Sequence, residues 1–130
     1  MAANVFIDFE SAAHLMAHTY PIHTFFHTFL GATLMIFPAA VAAWVAGRLG
    51  LRMKLLPAAL PWSAAFIGAG VGAWSHVVFD SIMHADVQPF APWSTASPLH
   101  ACVSLEVLFY GCLLTGLAGA ILLARRRDRQ

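Results

Sequence analysis

PWSAAFIGAGVGAWSHVVFDSIMHA, residues 61–85, is the stretch that decides the fold. From Ala58 to about His84 the chain is apolar enough, and at ~20 helical residues long enough, to cross a hydrocarbon core of ~30 Å, with Pro57 and Pro61 marking its start. Within it Gly68, Gly72, His76, Asp80 and His84 recur every fourth residue and form one slowly drifting stripe on a helix. Small residues admit a neighbouring backbone, and the titratable residues above them face that same neighbour. Ionisable side chains inside an apolar span are costly and mark function by default.

Two further stretches read as spans, from about Ile22 to Ala46 and from about Leu99 to Ala124. Pro21 opens the first, Gly47 and Gly50 close it, and Ser97-Pro98 supplies a cap and first turn for the last. Residues 4–20 carry Asp8, Glu10, His14 and His18 and read as an interfacial or bundle-docked helix, or as an extended segment, rather than a span. The expected fold is therefore all-α: one integral membrane domain over residues 1–130, with three transmembrane helices. Composition agrees, since 60% of the residues are hydrophobic and 10% charged, against ~25% charged in soluble domains. A net charge of +1 lacks the basic face that nucleic acid requires. Cys102 and Cys112 are ~15 Å apart on a helix, too far for a disulfide. The start MAANVFIDFES has no basic n-region, so no cleavable leader is expected.

All seven basic residues fall in two places, Arg48, Arg52 and Lys54 after the first span and Arg125, Arg126, Arg127 and Arg129 after the third. Three spans put both places on one side, which the positive-inside rule makes cytoplasmic. The chain is thus expected in the cytoplasmic membrane with its N-terminus outside and its C-terminus cytoplasmic. Trp44 and Trp62 fall near the inner interface and Trp93 near the outer one, while Trp74 is expected to pack within the bundle. Every histidine, with Asp8, Glu10, Asp80, Asp86 and Glu106, then lies in the outer half or beyond it, where there is no Lys or Arg. Carboxylates without basic partners need another cation, and histidines beside them suggest a metal or shared protons.

His23 and His27 repeat the four-residue spacing in the first span, and two histidines so spaced can reach one ion. His76 with Asp80 is the carboxylate version of that spacing. Asp8 and Glu10 face the same way if their segment is extended and diverge by ~200° if it is helical. His84 is a further ligand or an interfacial residue, and Glu106 a candidate acceptor orienting a ligand histidine. Asp86 and His100 are expected to meet water. The outer loop ADVQPFAPWSTASP, residues 85–98, suits the rim of a pocket or a packed connector.

Taken together, GVGAWSHVVFDSIMHADVQPFAPWS (residues 70–94), YPIHTFFHTFLGAT (20–33) and VFIDFE (5–10) resemble the S-H-x-x-x-D, H-x-x-x-H and paired-acid segments of the YdjM-like integral-membrane metal-dependent hydrolases. Glu10 stands where that family's second Asp is usual, Thr24 where an Arg follows the first His, and the chain starts at the acid motif. The resemblance implies a polar cluster of Asp8, Glu10, His23, His27, His76 and Asp80. On this reading Asp8, His23, His27, His76 and Asp80 hold a divalent metal, Zn²⁺ first and Mn²⁺ second. Glu10 is the general base, and a membrane phospholipid or other amphiphile is the substrate. Two alternatives make separate predictions: a b-type haem held between facing histidines, and a non-catalytic accessory subunit whose small-residue surfaces pack in a homo-oligomer or larger membrane complex.

Overall fold

The computed structural model describes residues 2–127. They divide into two compact units, Met1–His100 and Ala101–Gln130. Among the described residues every regular element is helical: α1 (Ala2–Met16), a single 3-10 turn (Phe25–His27), α2 (Phe29–Arg52), α3 (Trp62–Met83) and α4 (Leu105–Arg127). Stretches of α2, α3 and α4 are long and apolar enough to cross a membrane.

In the first unit α2 and α3 meet along small side chains. Ala32, Ile36, Ala39 and Ala40 of α2 and Ala69, Ala73 and Val77 of α3 are buried together, and Ala65 continues the α3 row. The seam is displaced by one residue from the expected glycine stripe, and a Cβ added at Gly68 would meet nothing within 4 Å. Alanine supplies contact area where glycine supplies none and loses less backbone entropy in a helix. His76 and Asp80 consequently sit beside the seam rather than in it.

α1 is a helix, and Ala3 and Ile7 are buried in the same core, so the segment is docked on α2 and α3 and is neither extended nor laid on an interface. It stops where His18 takes a left-handed φ of 54° and the Thr19 N–H donates back to the His14 carbonyl at 2.9 Å.

α2 begins at Phe29, seven residues later than Ile22. The Thr28 hydroxyl caps it by accepting the Gly31 N–H at 2.9 Å, and the Phe29 N–H donates to the Pro89 carbonyl, in the loop after α3, at 2.9 Å. The 3-10 turn folds so tightly onto this end that a Cβ at position 31 would lie 2.1 Å from the Phe25 carbonyl oxygen. Glycine is required there. His23 and His27 are therefore not successive turns of a transmembrane helix, which corrects the spacing argument for that pair.

Trp74 is half exposed rather than packed away, and its indole N–H donates to Thr33 Oγ1 of α2 at 3.1 Å. In the loop after α3, Val87 and Pro89 are fully buried. The Ser97 hydroxyl donates to the Val87 carbonyl instead of capping a helix.

In the second unit α4 starts at Leu105, not near Leu99, and Ser104 Oγ accepts the Val107 N–H at 3.3 Å. Its Leu105–Leu122 stretch has the length and hydropathy of a membrane span. Cys102 and Cys112 are exposed free thiols. Glu106 is exposed in the first turn of α4.

Candidate metal centre

Three elements of the first unit converge on one point. α1 brings Asp8, the 3-10 turn brings His27, and α3 brings His76 and Asp80, each offering a donor atom within 4.8 Å of the others. Asp80 Oδ2 is 3.2 Å from His27 Nε2 and 3.2 Å from His76 Nε2, while Asp8 Oδ1 is 2.9 Å from His76 Nε2 and 3.6 Å from His27 Nε2. Helical spacing accounts for the His76 and Asp80 pair. The turn accounts for His27, because folding back over Gly31 carries its ring inward until it is 0% exposed.

Neither buried Nε2 atom has a hydrogen-bond partner despite these short contacts. Nitrogen and carboxylate oxygens thus lie close without a well-directed hydrogen bond between them. Zn–N and Zn–O bonds of ~2.0–2.1 Å place neighbouring donors of a tetrahedral site ~3.3 Å apart. The four N···O distances, from 2.9 to 3.6 Å, bracket that spacing. The donor set of two imidazoles and two carboxylates suits a borderline ion such as zinc. Three members are buried or nearly so, whereas Asp8 is 53% exposed and forms the open side.

Glu10 has a different task from Asp8, as the ~200° between them on a helix requires. Its Oε2 accepts the Phe26 N–H at 2.8 Å and so ties α1 to the turn that carries His27.

His23 is turned towards a second group, with His84 and Asp86. Its Nδ1 donates to Asp86 Oδ1 at 3.0 Å and Oδ2 at 3.1 Å, and Oδ2 also accepts the backbone N–H groups of Ile22 (3.1 Å) and His23 (3.2 Å). Burial pushes the Asp86 carboxyl up, but the His23 backbone and ring N–H groups and the ring's charge outweigh it and hold Asp86 below the ordinary carboxylate value. The His84 ring stacks on His23 with centroids 4.4 Å apart, and the His23 and His27 rings meet edge to face at 4.7 Å. The two groups are neighbours. A cavity of about 290 Å³ opens beside the second, walled by Pro21, Phe25, Leu30 and Pro92 with His23 and Asp86.

Sequence reasoning thus named all four residues of the first group and placed His23 with them, where the structure gives it other partners. Asp86, expected to meet water, is the residue it missed. The signal was the H-x-D step from His84 to Asp86 just past a helix end, which returns a carboxylate towards the histidine-bearing segment. Both groups are drawn from the first unit. His14 Nδ1 donates to the Pro21 carbonyl at 3.1 Å and contributes to neither.

Comparison with family models, curated proteins and solved structures finds no match to this chain.

Proposed function

We propose that the protein is a membrane-embedded metal-dependent hydrolase centred on Asp8, His27, His76 and Asp80. One observation carries the reading: two buried imidazole nitrogens and two carboxylates converge at ligand spacing without hydrogen bonding one another. Zn²⁺ fits the donor set, with Mn²⁺ as second choice. A bound ion of this kind lowers the pKa of water towards ~7 and polarises a carbonyl or phosphoryl oxygen.

In this scheme His27, His76 and Asp80 hold the ion. Asp8, on the exposed side, takes the proton of the attacking water. That moves the base from Glu10, whose carboxylate is engaged with Phe26 and positions the His27 turn. The cavity beside His23, with apolar walls and a polar floor, suits an amphiphile such as a phospholipid. The motif resemblance to YdjM-like hydrolases includes these four residues, together with Glu10 and His23. The haem alternative has less support, because Asp80 within 3.2 Å of both Nε2 atoms occupies the place of a macrocycle between them. The distribution of basic residues supports a cytoplasmic membrane location with the centre on the outer side.

Elemental analysis of purified full chain tests the reading. Wild type is expected to carry zinc or manganese, and His76→Ala/Asp80→Ala to lose the ion at this centre. A metal-free wild type after zinc loading, or a Soret band, overturns it.

A further inference from the structure

We infer that His23, His84 and Asp86 form a second divalent-cation site beside the first. The inference rests on the same reading of the outer half as cation-binding, yet it has ligands and consequences of its own.

The first support is charge. Asp8, Glu10, Asp80 and Asp86 all lie at one end of the α2 and α3 pair. The basic residues nearest in sequence, Arg48, Arg52 and Lys54, begin ~29 Å away along α2, far beyond a Debye length of ~8 Å. One dication between Asp8 and Asp80 balances those two acids. Glu10 is taken by the Phe26 N–H, and Asp86 remains.

The second support is geometry. His23, His84 and Asp86 each offer a donor atom within 4.8 Å of the other two. Asp86 presents both oxygens to His23 Nδ1 at 3.0 and 3.1 Å. His84 lies flat against His23, with 27° between the ring planes, and no hydrogen bond reaches its ring among the described residues. The ion takes the place of the His23 Nδ1 proton, which passes to solvent. The backbone N–H groups of Ile22 and His23 continue to hold Asp86 Oδ2. All three ligands are partly exposed, and His23 and Asp86 border the cavity, so water completes the coordination.

Zinc alone is the probe, titrated into the full chain in detergent and counted after equilibrium dialysis. Wild type is expected to bind two ions. His84→Ala leaves the Asp86 and His23 hydrogen bonds in place and is expected to weaken one equivalent at least tenfold while helicity, followed by circular dichroism, is unchanged. Asp80→Asn is expected to weaken the other equivalent, and combining the two to affect both. Cobalt adds a separate readout, since filling the second site raises the visible d–d absorption beyond one equivalent in wild type but not in His84→Ala. One ion in wild type that His84→Ala leaves untouched overturns the inference and makes the trio a hydrogen-bonded tie. A second ion insensitive to His84→Ala overturns it too. One ion lost in His84→Ala and indifferent to Asp80→Asn sustains it and overturns the proposed centre instead.

Discussion

His27 Nε2 and Asp80 Oδ2 stand 3.2 Å apart, one on a turn before α2 and the other near the end of α3, and they do not hydrogen-bond. A buried imidazole nitrogen left without a partner costs about 1–3 kcal/mol. A shared cation removes that cost at both nitrogens and at Asp80 together. Chelation with EDTA is therefore expected to lower the thermal midpoint, and zinc at 100 times its Kd to restore ~2.7 kcal/mol. Thermal unfolding with and without chelator checks this. A midpoint indifferent to EDTA in metal-loaded wild type counts against the centre.

Glycines 31 and 68 make a matched pair. A Cβ at position 31 runs into the Phe25 carbonyl at 2.1 Å, and one at position 68 meets nothing. Gly31→Ala is expected to cost ~1–3 kcal/mol as the turn is displaced, and with it His27 and the metal. Gly68→Ala is expected to keep the metal and to gain up to ~1 kcal/mol from helix propensity. Equal behaviour of the two variants would remove the turn from its role in building the site.

Glu10 separates a base from a brace. Its carboxylate accepts the Phe26 N–H, a bond that a glutamine side-chain carbonyl reproduces. Glu10→Gln should then retain stability and metal, whereas Glu10→Ala should lose ~1–3 kcal/mol and bind zinc more weakly. Metal content and unfolding midpoints of both variants decide the matter, and a Glu10→Gln protein as impaired as Glu10→Ala contradicts the positioning role.

Across the helix pair, Trp74, half exposed, donates to Thr33 at 3.1 Å. Thr33→Val and Trp74→Phe are each expected to cost ~0.5–1.5 kcal/mol, with the double variant costing less than their sum. Strict additivity in that cycle would show that the bond does not form.

Much of the fold was legible, because apolar run length needs no knowledge of packing and the alternation of Pro and Gly marks helix ends. His76 with Asp80 was legible for the same reason: both sit on one long helix. The start of α2 was not. Ile22 to Phe29 has helical composition, but the Thr28 cap and the Phe29 bond to Pro89, 60 positions away, override it. His23 was misplaced in consequence, and Asp86 missed, since their partnership depends on a loop closing over a turn rather than on any local period. The seam was off by one residue because hydropathy does not distinguish alanine from glycine as a contact surface.

Asp8 enters the centre from α1, a helix held otherwise by two small buried contacts, Ala3 and Ile7, and by the Glu10 bond to the turn. An ion held by His27, His76 and Asp80, with Asp8 against its bound water, would act as a clasp, closed only after all three segments have docked. Metal occupancy then reports completed assembly, and the metal-free chain should open first at α1, where amide exchange would quicken before the α2 and α3 seam yields.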